Sequence, residues 1–341
     1  MSRDHTSVAT GLLAAVLLIG AVPGAQAVVK CTAAAGVTLD MPASISVPRD
    51  RGLGTPLSAW IESGYVVGES ACTYTDPNSA YSQARGALVP TGKRINDSGI
   101  DYPVYATSLP GVGVIVAAKD AGADWVVLEP TAVDLYKASW TAWGFHAKAR
   151  LVATGEPIGT GTVAKLTIGE HFIAEKSNGS KSAIFPVYMS ATNVTSSTCS
   201  VEAGSVSIPV DLAITSSSKL QGPVGTTDGN ASFNIRLNCS TGMNVYMTLS
   251  DANNLGNSSD TLTLSPSPVQ ATGVGIQVRR NGTPIRFGPD ASMAGNTNQI
   301  SLGASPNGVL TIPFTANYIK TATTVRPGEA NAVATYTLSY Q

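Results

Sequence analysis

The chain is poor in charge, in histidine and in aromatic side chains. Only 13% of its 341 residues are Asp, Glu, Lys or Arg, and the formal net charge is −1. Nothing in that balance favours nucleic acid or an anionic membrane surface, so no nucleic-acid partner is expected. Beyond the N-terminal segment the only histidines are His146 and His171. No Gly-x-Ser-x-Gly elbow and no His-Glu-x-x-His pair occurs. Residues 86–93 lack phosphate-loop spacing, and Arg94 stands where Ser or Thr is required. Asp120, Asp124 and Glu129 could pair in space as in a glycosidase, but nothing in the sequence singles them out. These absences argue against an enzyme, and neither cofactor nor metal is expected.

Long apolar runs are missing too. The one compact run, residues 11–20, is too short to span a bilayer. With Arg3 before it and Ala25-Gln26-Ala27 after it, it reads as a secretory signal peptide over 1–27, Val28 being the first mature residue. The mature chain is expected to be exported and soluble. Cysteine is scarce but even in number: Cys31, Cys72, Cys199 and Cys239. An even count in an exported chain favours disulfides, and no pair has metal-knuckle spacing. Three connectivities are possible. The repeated spacing of about forty residues favours Cys31–Cys72 and Cys199–Cys239.

What is present is β-sheet patterning. Short alternating runs at 145–152, 162–168, 233–237, 245–249, 275–278 and 309–314 are separated by Gly, Pro and Asn clusters. That predicts an all-β protein with hardly a helix. The polar run 190–198 resembles a linker, which predicts one domain over 28–190, a linker at 191–198 and a second domain over 199–341. Each domain is long enough to be a β-sandwich with its own core. At the end of the chain, Ala332, Ala334, Tyr336, Leu338 and Tyr340 alternate with polar residues, Val333 excepted. That is a strand with one buried face, and Thr337 points away from it. The chain stops one residue after Tyr340, so this strand is expected to be a sheet edge or to wait for a strand from another molecule.

The second domain carries a series of motifs in one order. Cys199-Ser-Val, Ile208-Pro-Val-Asp-Leu, Phe233-Asn-Ile-Arg-Leu-Asn-Cys239 and Gly273-Val-Gly-Ile-Gln-Val278 come first. Pro284-Ile-Arg-Phe-Gly, Phe314-Thr-Ala-Asn-Tyr318, Arg326-Pro-Gly-Glu-Ala-Asn331 and the Tyr-Thr-Leu-Ser-Tyr-Gln end follow. This resembles the pilin domain of chaperone–usher fimbriae. The resemblance implies an incomplete immunoglobulin-like sandwich that lacks its final strand. A periplasmic pilus chaperone fills the groove first, and an adjacent fimbrial subunit then donates its N-terminal strand at the outer-membrane usher. Tyr336, Leu338 and Tyr340 would line the groove, and the carboxylate of Gln341 would meet basic residues of the chaperone.

Only Val28, Val29 and Lys30 separate the expected cleavage site from Cys31. Three residues reach at most about 10 Å, too little to fill a groove. The chain is therefore expected to accept a strand but not to donate one, which places it at the fimbrial tip on the bacterial surface. Cys31-Thr, Val37-Thr-Leu, Ile45-Ser-Val, Gly64-Tyr-Val, Cys72 and Leu109-Pro-Gly-Val-Gly-Val resemble the receptor-binding domains of two-domain fimbrial adhesins, in the group with type 1 and type 3 adhesins. The implied ligand is a host glycan or a matrix protein. The mannose-type pattern does not transfer, because Val28 replaces an aromatic and Thr73 to Asn78 replace the acidic-amide pair. Tyr74, Asp76 and Asn78 could form a sugar site, or a plain turn, since Asp-Pro-Asn is turn chemistry. Trp143 shares parity with Phe145, Ala147, Ala149 and Leu151 and is expected in the core, leaving Trp140 as an exposed candidate contact. His146, Lys148 and Arg150 on the opposite face suit an acidic receptor or a solvated sheet face. The alternative function is a structural tip or initiator subunit without a specific receptor.

Overall fold

A computed structural model describes residues 28–240 and 242–341. The export signal read at 1–27 lies outside the described residues. The regular structure of the described chain is almost all strand, with one four-residue α-helix, Ala203–Val206, and one short 3-10 turn, Pro77–Ser79. Two hydrophobic cores share no member: one runs from Leu39 to Val194, the other from Cys199 to Tyr340. This is the expected pair of all-β units. Both disulfides have the expected pairing, Cys31–Cys72 and Cys199–Cys239.

In the first unit two sheets face each other. One orders Lys30–Ala33, Val66–Thr73, Trp143–Ala153, Val112–Asp120, Ile100–Ala106 and Pro90–Asp97. The other orders Val133–Lys137, Ala80–Gly86, Leu166–Glu175, Phe185–Met189 and Val37–Leu39. Trp143–Ala153 is the spine of the first sheet, paired to Val112–Asp120 over nine residues. Its odd positions, Trp143 to Leu151, are buried, while His146, Lys148 and Arg150 are half-buried on the outer face. The period-2 pattern therefore holds from Phe145 to Leu151, whereas the even positions at the strand's ends, Gly144 and Val152, are buried as well. Gly111, at φ +77, makes the turn in Leu109-Pro-Gly-Val, where a Cβ would stand 2.6 Å from the Ile158 backbone.

Two boundaries differ from the sequence expectation. Run 162–168 is two strands, Gly161–Val163 and Leu166–Glu175, in different sheets. The run 191–198, read as a linker, contains the strand Thr192–Ser197, which pairs antiparallel with Gly161–Val163 and parallel with Ser44–Pro48. Val194 from this strand is buried in the first core. The strand looks like linker because its residues are polar on both faces: Asn193 and Thr195 are exposed, while Thr192 is buried with its hydroxyl donating to the Pro42 carbonyl, so polarity carries no boundary information here.

The second unit stacks a five-stranded sheet on a three-stranded one. The larger orders Cys199–Val201, Thr227–Cys239, Gly308–Lys320, Val274–Arg280 and Thr283–Pro284. The smaller orders Ile300–Ala304, Asn244–Asp251 and Ala334–Tyr340, so the terminal strand is an edge.

Candidate functional site

The terminal strand pairs with Asn244–Asp251 on one side only. Gln341 and Asn244 exchange both backbone hydrogen bonds, at 2.9 and 2.8 Å. Backbone groups alternate sides along an antiparallel strand. Ser339, Thr337 and Thr335 therefore bond inward, and Tyr340, Leu338 and Tyr336 turn their N–H and C=O groups to the open side. Leu338 and Tyr340 are buried in the second core and Tyr336 packs against it. Burial pushes the Tyr336 and Tyr340 hydroxyls above their usual range. The Tyr340 hydroxyl donates to the Cys199 carbonyl at 2.9 Å, and that of Tyr336 to the Ser205 carbonyl at 2.5 Å. Just beyond Ser205, Ile208, Val210 and Leu212 pack half-buried on the same core, while Pro209 and Asp211 are exposed. That segment has strand alternation yet belongs to no sheet. Its alternation is legible in Ile208-Pro-Val-Asp-Leu, although the sequence reading did not use it as a wall.

The last residue pair of the open edge is held by the first unit. Tyr340 N–H donates to Asp50 Oδ2 at 2.9 Å, and Asp50 N–H donates to the Tyr340 carbonyl at 2.8 Å. Arg49 makes a bidentate pair with Asp50, both bonds 2.9 Å, and lies 5.0 Å over the Tyr340 ring. The hydrogen bond to Asp50 raises the Arg49 pKa despite partial burial. Nothing in the sequence marks Arg49 and Asp50, because they meet Tyr340 across some 290 residues.

At the other end of the first unit, Trp143 Nε1–H donates to the Tyr74 hydroxyl at 2.5 Å, which donates to the Trp140 carbonyl at 2.7 Å. Burial raises the Tyr74 pKa, against the opposing bond from Trp143. Tyr74 and Trp140 are thus brought together, with Trp140 57% exposed. Asp76 caps the short turn Pro77–Ser79 by accepting the Asn78 N–H at 3.0 Å. Buried Glu175, which the sequence reading missed, fixes that turn by accepting the N–H groups of Thr75 (2.5 Å) and Asp76 (3.1 Å). Asn78 is exposed beside it. The spine strand begins here and ends at Ala153, whose carbonyl takes the Gly54 N–H a few residues from Asp50. At about 3.3 Å per residue its ends lie roughly 30 Å apart. The Tyr74–Trp140 cluster therefore sits at the end opposite the second unit.

A third cluster lies between the two sheets of the first unit. Ser82 Oγ stands 2.8 Å from His171 Nε2, and His171 Nδ1 stands 2.8–2.9 Å from the Glu69 carboxylate. The order Ser–His–Glu is that of a hydrolytic triad. All three residues are fully buried, however, and His171 is stacked on Phe145 at 4.5 Å. No substrate reaches the Ser82 hydroxyl in this arrangement, which acts as a polar cross-tie inside the core.

The fimbrial-protein family profile matches residues 187–341. The second unit is thus similar to fimbrial proteins. The F17c-G fimbrial adhesin of Escherichia coli is 38% identical over 109 residues, 31% of this chain and 32% of that protein. The match therefore spans about a third of that relative's length. A fimbria adhesin protein of Klebsiella pneumoniae is 24% identical over 292 residues, 81% of this chain and 85% of that protein. The crystal structure of the CupB6 tip adhesin from Pseudomonas aeruginosa aligns over 91% of this chain and 94% of its own, with 15% identity and a TM-score of 0.36. The chain resembles fimbrial adhesins, as its motifs imply.

In the first unit, Asp50→Ala should leave the buried Tyr340 N–H of the second unit without an acceptor. A cost of about 1–3 kcal/mol is expected in urea unfolding of the full chain. Asp50→Asn keeps an acceptor oxygen and should lose less. Equal midpoints for wild type and Asp50→Ala would mean that the contact contributes nothing.

Proposed function

We propose that this chain is a fimbrial tip adhesin. Its first domain binds a host glycan or matrix protein, and its fimbrial domain joins the fibre by accepting a strand along Ala334–Tyr340. The observation that carries this is the open edge of the terminal strand, with the half-buried, unpaired segment Ile208 to Leu212 on the same core. An added strand would pair the backbone groups of Tyr336 and the Leu338 N–H, take over the Leu338 carbonyl from Arg49, and cover both apolar strips. A periplasmic pilus chaperone supplies such a strand during export, and at the usher an adjacent subunit replaces it. The segment before Cys31 is committed elsewhere: Val29 is buried and its N–H donates to Ser180 Oγ at 3.1 Å. This supports a subunit that accepts but does not donate. Receptor contact is assigned to the distal end, where Tyr74, Asp76, Asn78 and Trp140 gather.

Co-expression of the full chain with a pilus chaperone should yield a one-to-one complex. That complex should bind a subset of a glycan and matrix-protein array, and Trp140→Ala should weaken the binding. A stable monomer that ignores the chaperone would overturn the strand-acceptor role. Capture by the chaperone without any array signal would favour a structural tip or initiator subunit.

A further inference from the structure

The outer face of the spine sheet carries a row of aromatic rings interleaved with cations. Lys148 Nζ lies 4.6 Å from the Trp60 ring centroid and 4.3 Å from that of Trp125. Lys119 Nζ lies 5.0 Å from the same Trp125 ring. His146 stands edge-on between Trp125, at 6.4 Å, and Tyr65, at 5.8 Å. Tyr65 is 56% exposed and lies across Gly144, where a Cβ would stand 2.2 Å from its ring. The row thus requires glycine at 144.

The cations in this row differ in their partners. Arg150 is neutralised by a bidentate pair with Asp97, at 3.0–3.1 Å, and Asp97 also accepts the Trp60 Nε1–H at 3.0 Å. Lys119 and Lys148 have no ion pair within 4 Å and no hydrogen bond among the described residues, although Glu62 is the cross-strand neighbour of Lys148. Burial lowers the Lys148 pKa more than Glu62 and Asp97 raise it. Two ammoniums beside one indole, neither of them ion-paired within 4 Å, repel each other, and an anion placed near both would relieve that repulsion. Rings beside cations suit a ligand that offers C–H faces and acidic groups at once.

Resting on the adhesin reading, we infer that the Tyr65–Trp125–Lys148–Trp60 row binds an extended acidic glycan. Its carboxylate or sulfate groups would lie between Lys119 and Lys148, and its pyranose faces against Tyr65 and the rims of the tryptophans. A row along a sheet, rather than a closed pocket, suits a linear chain of sugars. Neutral glycans lack the group that the two ammoniums need, and an acidic peptide lacks the sugar faces.

The test uses the full chain in complex with its chaperone. The probes are a sulfated uronate-containing octasaccharide, a neutral chito-oligosaccharide and poly-glutamate. The octasaccharide alone should bind well. Lys119→Met with Lys148→Met should weaken it at least tenfold and flatten its salt dependence, and Tyr65→Ala should weaken it severalfold. Lys165→Met with Lys181→Met, on the other sheet, should change nothing. Melting temperatures confirm that each variant is folded. Failure to bind the octasaccharide, equal binding of poly-glutamate, or equal loss in the Lys165/Lys181 control would each overturn the proposal. Chaperone capture and array binding through Trp140 would then still stand, so the adhesin reading is scored separately.

Discussion

Leu338→Asp is expected to abolish recovery of the chain with a pilus chaperone. Leu338 is 8% exposed and belongs to the second unit's core, while its carbonyl faces the open edge and Arg49. A carboxylate there is buried without a partner, at a cost of several kcal/mol. The damage is twofold, because the domain loses core packing and the edge loses the apolar strip that an added strand would cover. The matching control is set by the structure. Thr337 looks solvated from alternation alone, but it is half-buried and its hydroxyl bonds the Asp290 carboxylate. Thr337→Asp would set two carboxylates together. Thr335 is exposed, so Thr335→Asp should be captured like wild type. Capture of Leu338→Asp at wild-type yield would sink the strand-acceptor role.

Glu69→Ala is expected to be the most destabilising single change in the first domain. Glu69 and His171 are both fully buried, and Glu69 is the partner of His171 Nδ1. Removing one member of a buried, hydrogen-bonded pair costs about 3–5 kcal/mol, because the remaining polar group has no water to replace it. For a domain of this size that corresponds to a fall in melting temperature of roughly 6–20 °C. Glu69→Gln keeps an acceptor and should fall less. Ser82→Ala removes the hydroxyl that bonds His171 Nε2 and faces the Asp120 carboxylate, and should cost about 1–2 kcal/mol. Thermal melts of the full chain check the cross-tie: Glu69→Ala should melt lowest, Glu69→Gln in between and Ser82→Ala nearest to wild type. If Glu69→Ala melts with wild type, the pair contributes nothing net.

Much of the architecture is legible in the order of residues. The spine strand alternates from Phe145 to Leu151, and Trp143, which shares the parity of its buried positions, falls in the core while Trp140 lies outside it. Both disulfides follow from the repeated spacing, since each closes the first strand of its unit onto a later neighbour. The domain boundary is less legible. Thr192–Ser197 is polar, and polarity does not separate a linker from a narrow outer strand. The basic stripe of His146, Lys148 and Arg150 is visible in the sequence, but its company is not. Trp60 and Trp125 enter it from other loops, and Arg150 leaves it by pairing with Asp97.

The sequence by itself determined the all-β class, the two cores, the cysteine pairing, the likeness of the second domain to fimbrial proteins and the buried face of the terminal strand. Each of these is written either in period-2 alternation or in motifs that recur in order, and both are properties of neighbouring residues. Only the tertiary structure decided that Asp50 holds the end of the terminal strand, that Glu69, His171 and Ser82 meet in one core, and that two lysines share one indole. Those contacts join strands distant in the chain, and their partners follow from sheet order and register. A strand's own alternation states which face is buried but not which strand lies beside it, so no local pattern could have placed them.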